Sequence, residues 1–214
     1  DDAPEALRAL VGRPVTQIDT PAAVVDLDLM ERNLALMASW CRIHDLRWRP
    51  HAKMHKCAAL ARLQMSAGAV GVCVQKVSEA AALVARGVRD IYIGNEVVSP
   101  AKLARVADVA QYLAADGGRL AIAVDSIEGI RRLAHAMDQR RAAGGAAVVV
   151  DVFVEIDVGQ GRCGVPPGRL ALELAQEIRR HATLRFAGLQ AYHGKAQHLR
   201  TAAERRDAIA VAVQ

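Results

Sequence analysis

Aromatic side chains are scarce here: Phe, Trp and Tyr together make up 3% of the 214 residues. A platform for single-stranded nucleic acid needs ring faces on which bases stack, and this chain has few to offer. Its core must come from Val, Leu, Ile and Ala, a composition that suits helices packed closely on a sheet. Cysteine is equally sparse. Cys41, Cys57, Cys73 and Cys163 form no CxxC pair, and no charged leader precedes an apolar signal core, so a reducing, cytoplasmic setting is expected. No apolar run is long enough to span a bilayer, which predicts a protein without a membrane partner. A dinucleotide fingerprint is missing too: Gly159-Gln160-Gly161 lacks the third glycine and follows a late strand.

What is present is 52% hydrophobic residues, 24% charged residues and a formal charge of +5. The densest basic pairs, Arg131-Arg132, Arg140-Arg141, Arg179-Arg180 and Arg205-Arg206, lie in helix-like stretches beside Ala and Leu. They read as solvated helix faces and not as a nucleic-acid patch, while the mild positive charge favours small anions such as a phosphate cofactor.

Short runs rich in Val and Ile alternate with stretches of helical period, the pattern of a parallel α/β protein. Seven candidate strands cover residues 22–26, 46–51, 70–74, 90–93, 120–124, 148–156 and 184–191. Between them, Met30, Leu34, Met37 and Cys41 share one helical face, as do Leu103, Val106, Ala110 and Leu113, and Ile127, Ile130, Ala134 and Met137. Each reads as an outer helix on the sheet. Start signals agree: Ser99-Pro100 supplies a cap before a first-turn proline, and Asp125 to Glu128 and Thr201 to Glu204 have capping-box spacing. About seven βα units predict an α/β fold of the (β/α)8 barrel type, with residues 1–214 as one incomplete domain whose last strand lies beyond 214. A doubly wound open sheet is the alternative.

In a parallel barrel, function gathers where strands end and loops begin. The second candidate strand ends in Arg49-Pro50-His51-Ala52-Lys53-Met54-His55-Lys56, four ionisable groups around Lys53. Neighbouring cations and burial both disfavour a charged amine, so this segment has the ingredients of a Schiff-base lysine; a solvated or phosphate-directed lysine is the plainer alternative. His51 and His55 have helical metal-ligand spacing, but Pro50 puts His51 at a strand end and argues against a metal there. Later strands end in Gln75-Lys76, Asn95-Glu96, Asp157 with the glycine-flanked Arg162, and Gln190-Ala191-Tyr192-His193-Gly194. The glycines suggest a tight loop that holds one guanidinium against a ligand, or else a surface turn.

Taken together, Arg49 to Lys56, Val72-Cys-Val-Gln-Lys-Val-Ser-Glu79, Asn95-Glu-Val97, Glu155-Ile-Asp-Val-Gly-Gln-Gly-Arg-Cys-Gly164 and Gln190 to Gly194 resemble the family of D-threonine aldolase, 3-hydroxy-D-aspartate aldolase and D-serine dehydratase, whose barrel is of the alanine racemase type. The resemblance implies a pyridoxal 5'-phosphate lyase. It places the cofactor on Lys53, sets Arg162 near the cofactor ring, lines the site with His51, Gln75 and Tyr192, and makes His193 the proton-transfer residue at the substrate hydroxyl. It further implies a divalent metal (Mn, Mg or Co) whose ligands, a His-x-Asp pair in a C-terminal β domain, would lie beyond Gln214 together with the glycine-rich phosphate loop. No metal ligand is therefore expected among residues 1–214. A small-molecule D-amino acid is the implied substrate and a homodimer the implied assembly. Among the related activities, D-threonine cleavage to glycine and acetaldehyde is favoured because His193 follows Tyr192, where the hydroxyaspartate enzymes can carry Gln. A non-catalytic pyridoxal-phosphate carrier is the reading from another class.

Overall fold

The computed structural model describes residues 5–213. Five strands, β1 (Val72–Val74), β2 (Asp90–Ile93), β3 (Arg119–Val124), β4 (Val150–Glu155) and β5 (Leu184–Gln190), form one sheet in the order β1-β2-β3-β4-β5. Every pairing is parallel. Neighbours in sequence are therefore neighbours in the sheet. A doubly wound sheet would reverse direction at a switch point, and none occurs among the described residues.

The connecting helices are α4 (Val77–Val84), α5 (Pro100–Ala115), α6 (Ile127–Ala142) and α7 (Arg169–Ile178). Ahead of the sheet lie α1 (Glu5–Arg8), α2 (Leu27–Ile43) and α3 (Ala58–Ser66), and α8 (Ala202–Ala212) follows it. Along the strands Val and Ile alternate with other residues, as in DIYI of β2 and VDVFVE of β4, so one face of the sheet carries the apolar side chains that meet the helices. Val72, Val74, Ile91, Ile93, Ile122, Val150, Val152 and Val154 are buried against Leu83, Val106, Leu113, Ile130, Leu133, Met137 and Ile178.

Five of the seven candidate strands are strands of this sheet, with ends that agree to within two residues. The stretch 46–51 is an incomplete sixth. Val70 N–H donates to Trp48 O (3.0 Å), Cys73 N–H to Pro50 O and Ala52 N–H to Cys73 O (both 2.8 Å), and His51 pairs in parallel with Cys73. Pro50 has no N–H to give a ladder, which keeps this pairing short. The stretch 22–26 has no strand pairing among the described residues, so it lacks the ladder that defines a strand.

The α5 face (Leu103, Val106, Ala110, Leu113) is buried as expected, as is the α6 face apart from Ile127 at its first turn. The α2 face departs from expectation. Cys41 is buried but Met37 is 48% exposed, and Met30 and Leu34 look onto a shallow groove with Leu63 and Ala67 of the α3 region instead of onto the sheet. No described strand lies under α2 to take up its apolar side.

The caps are partly as expected. Ser99 and Pro100 open α5, and Thr201 with Glu204 forms a complete capping box, Glu204 N–H donating to Thr201 Oγ1 (3.2 Å) and Thr201 N–H to Glu204 Oε2 (2.9 Å). At α6 the cap is Ser126, whose Oγ accepts from Gly129 N–H at 3.1 Å. Asp125, expected there, instead accepts from Gly164 N–H at 3.2 Å and so ties the end of β3 to the loop after β4. Most of the clustered arginines lie in ion pairs: Arg131 and Arg180 with Glu177, Arg132 with Glu128, Arg140 with Asp108 and Arg141 with Asp138.

Candidate active site

At the C-terminal ends of the strands lies a cavity of about 260 Å³ lined by His51, Lys53, Cys73, Gln75, Gly94, Arg162, Gln190, Ala191 and Tyr192. Residues from five separate segments meet there, because parallel pairing in sequence order brings every strand's end to the same rim.

Lys53 stands in the turn that follows the His51 pairing, exposed at the cavity. Its backbone N–H donates to His51 Nδ1 at 3.3 Å. That ring nitrogen is then an acceptor, so the neutral His51 carries its proton on Nε2. Burial first and the nearby Lys53 charge second hold the His51 pKa below its ordinary value, while a hydrogen bond in which the ring N–H donates to the Gln75 side chain works the other way. His51 is thus a neutral fixture beside the lysine. Cys73 shares the wall, and burial pushes its thiol up to about 11, which leaves it protonated and unreactive as a nucleophile at neutral pH.

Arg162 arrives on a loop built by glycine. Gly159, Gly161 and Gly164 have φ of 115°, 65° and 94°, conformations open to glycine at little cost. Asp157 Oδ1 accepts from both Gly159 N–H and Gly161 N–H, at 3.0 and 2.9 Å. The guanidinium carbon lies 5.2 Å from the centre of the Tyr192 ring, a cation–π arrangement, and Nη2 is 3.9 Å from Glu155 Oε1. The chain forms a tight glycine-built loop here, and it carries the half-exposed Arg162 to the cavity.

Five of the six expected site residues, His51, Lys53, Gln75, Arg162 and Tyr192, line the cavity. His193 does not. Its imidazole lies against Gly159, where a built Cβ would be 3.1 Å from Nε2, and its Nδ1 is buried with no hydrogen-bond partner among the described residues. An unpartnered buried ring nitrogen is costly unless another group meets it.

Sequence reading passed over a polar chain behind this wall. Tyr92 OH donates to Gln190 Oε1, and Gln190 Nε2 donates to Glu155 Oε2. Glu155 is 2% exposed. Burial first, and then Glu96 as a close carboxyl neighbour, push its pKa up to about 7. Beyond Glu96, Cys163 is raised to about 11 by burial and then by Glu96. The usable signal was position: Tyr92 lies within β2, and Glu155 and Gln190 end β4 and β5, where a packed core has no need of polarity.

Glu96, Asp125 and Cys163 place one potential ligand atom each within 4.8 Å of one another. The same geometry serves carboxyls that share a proton, and we assign no ion to it. No helix among the described residues is long and apolar enough to cross a membrane.

The cavity suits a small anionic aldehyde cofactor in its donor set: an amine at the rim, a neutral histidine beside it, and a guanidinium and an amide on the opposite wall. Comparison with known proteins agrees in outline. Residues 25–214 match the model of the alanine racemase N-terminal domain. D-threonine aldolase of an Arthrobacter species is 46% identical over 92% of this chain and 49% of its own length. 3-Hydroxy-D-aspartate aldolase of Paracoccus denitrificans (strain Pd 1222) is 38% identical over 96% and 51%. Among solved structures, D-threonine aldolase from Filomicrobium marinum superposes with a TM-score of 0.84 at 46% identity, covering 92% of this chain and 50% of that one. The chain thus spans about half the length of the relatives it matches. With its five-stranded parallel sheet, alternating helices and a family match over residues 25–214, the chain belongs to the alanine racemase N-terminal domain family.

Proposed function

We propose that this chain supplies the cofactor-bearing part of a pyridoxal 5'-phosphate-dependent lyase that cleaves a D-3-hydroxy amino acid, D-threonine giving glycine and acetaldehyde. The observation that carries the reading is the convergence of Lys53, His51, Gln75, Arg162 and Tyr192 on one cavity, in a chain 46% identical to a D-threonine aldolase.

When bound, the cofactor supplies an electron sink for the pair released as the bond between the α and β carbons breaks. Lys53 would hold it covalently through Nζ. His51, kept neutral, fixes the lysine turn through its Nδ1 without adding a second charge beside the amine. Arg162 and Tyr192 would form the wall against which the cofactor ring rests, with the permanent guanidinium charge tuning the ring's basicity. Gln75 reaches the same space and holds His51 by a side-chain hydrogen bond.

His193 is proposed to take the proton of the substrate β-hydroxyl. It is adjacent in sequence to Tyr192 but outside the cavity lining, and what supports the role is the buried Nδ1 that no described group satisfies. A divalent metal (Mn, Mg or Co) is part of the proposal, with ligands outside this stretch, as are a homodimeric assembly and a cytoplasmic setting. Residues 1–214 then form one incomplete barrel domain of the whole enzyme.

Borohydride reduction of the pyridoxal-phosphate-loaded full-length protein, followed by peptide mapping, tests the attachment: the label belongs on Lys53. Side-by-side assays of D-threonine, D-serine and D-3-hydroxyaspartate with added manganese test the substrate. Acetaldehyde and glycine from D-threonine are expected, and label on another side chain or no aldehyde would refute the proposal.

A further inference from the structure

Glu155 ends β4 almost wholly out of solvent, yet both of its carboxylate oxygens lead to groups that line the cavity. One oxygen accepts from Gln190 Nε2, and the other lies 3.9 Å from Arg162 Nη2. Gln190 is pinned at its other end by the Tyr92 hydroxyl, which donates to Oε1. With an O–H donor on one side and a carboxylate acceptor on the other, the amide has one orientation and cannot flip without losing both bonds. Tyr92 is itself held by its ring, centred 5.1 Å from that of Phe153. Gly94 makes the close approach possible: a Cβ there would come 2.9 Å from Cys73 Sγ and 3.4 Å from Gln190 Oε1. Arg162, 40% exposed, is approached from two sides, by the Glu155 carboxylate at 3.9 Å and by the Tyr192 ring at 5.2 Å.

We propose that Glu155 is a positioning residue, a buried node that sets the Gln190 amide and the Arg162 guanidinium in one fixed orientation toward the ligand of the cavity. The inference rests on the functional reading above, since the ligand it concerns is the lysine-bound cofactor. The charged and titratable groups that face Glu155 are Glu96 from the loop after β2, Arg162 with Cys163 from the loop after β4, and Tyr92 from β2, with Asp125 from the end of β3 behind Glu96. Of these only Arg162 is a cation, so the Glu155 carboxyl, where ionised, is its counter-charge. Removing that charge leaves Arg162 more strongly positive toward the cavity, and a nearby cation disfavours protonation of whatever Lys53 has bound.

The test uses the full-length pyridoxal-phosphate-loaded protein and the variants Glu155→Gln and Tyr92→Phe, the second keeping the ring packing while removing one of the two anchors of Gln190. Two quantities are read: the affinity for pyridoxal phosphate, and the pH midpoint of the visible absorbance of the lysine-bound cofactor. Glu155→Gln should weaken cofactor binding about tenfold and lower the midpoint by about half a pH unit or more, an effect of lost counter-charge. Tyr92→Phe should weaken binding severalfold with little change of midpoint. A purely structural role for Glu155 would lower thermal stability and leave the midpoint where it was. Wild-type affinity and midpoint in Glu155→Gln would overturn the inference; should that variant not fold, wild-type affinity in Tyr92→Phe would do so. A wild-type protein that takes no cofactor on Lys53 sinks the functional reading and this one with it, whereas normal wild-type uptake with unchanged variants sinks this one alone.

Discussion

Asp157 Oδ1 accepts a hydrogen bond from the backbone N–H of Gly161 at 2.9 Å, one residue before the arginine that faces the cavity. With the second bond, from Gly159, it closes the loop that presents Arg162. These N–H donors hold the Asp157 carboxyl below its ordinary range. A depressed carboxyl contributes its stabilisation above the unfolded pKa of about 3.9 and loses it as pH falls through the folded value, so the loop is fully braced at neutral pH. Asp157→Ala should weaken pyridoxal-phosphate binding severalfold at pH 7 while changing the melting temperature little, since the group is exposed. Cofactor titration checks this, and wild-type affinity would separate the loop's shape from ligand binding.

Gly164 closes the same loop from its far end with φ of 94°, and a Cβ there would lie 2.8 Å from Asp157 N. Gly164→Ala combines left-handed strain with a backbone clash, a destabilisation of about 1–3 kcal/mol. Urea unfolding measures it. A midpoint equal to that of the wild type would mean that the loop relaxes freely.

Lys53→Ala should abolish both the visible absorbance of the bound cofactor and turnover, because no other amine lines the cavity among the described residues. Absorbance spectra and aldehyde release are the measurements. Retained full aldolase activity would remove Lys53 from the chemistry.

His193→Ala should load cofactor normally yet cleave D-threonine on the order of a hundredfold more slowly, the usual cost of losing a general base. Steady-state rates beside the absorbance spectrum distinguish the two. A normal rate would move the proton to another group.

The Glu155 carboxyl, pushed up to about 7, gives a pH dependence of opposite sign to that of Asp157. Its folded state binds a proton more tightly than the unfolded chain, whose glutamate titrates near 4.3, so this group's contribution to stability declines as pH rises from about 4.3 through 7. Glu155→Gln should remove that decline. Urea midpoints at pH 5 and pH 8 give the comparison: a wild type less stable at pH 8 and a flatter variant are expected.

Much of the fold was legible in the chain. The runs 70–74, 90–93, 120–124 and 148–156 place buried Val, Ile and Leu in short apolar stretches and therefore read as strands without reference to their neighbours, and 184–191 does so although most of β5 is exposed. The α5 face and the Ser99-Pro100 start were legible for the same reason, since period and cap are local properties. The α2 face was not. Met37 and Leu34 have helical spacing, but spacing says only that a face is apolar, not which surface covers it. Nor could capping-box spacing choose between Asp125 and Ser126, because the choice turned on the bond that Asp125 makes to Gly164, 39 residues away.

The sequence by itself determined the local material of the site: a lysine after Pro50-His51, glycines permitting the turn before Arg162, and polar residues where strands end. Only the tertiary structure decided their company. It put Tyr92, Glu155 and Gln190 in one hydrogen-bonded chain across 98 residues, and set His193 behind Gly159 instead of in the cavity wall. The physical reason is range: backbone conformation and burial pattern are written in neighbouring residues, whereas a hydrogen bond or a shifted pKa depends on which strand ends the parallel sheet brings within a few ångströms.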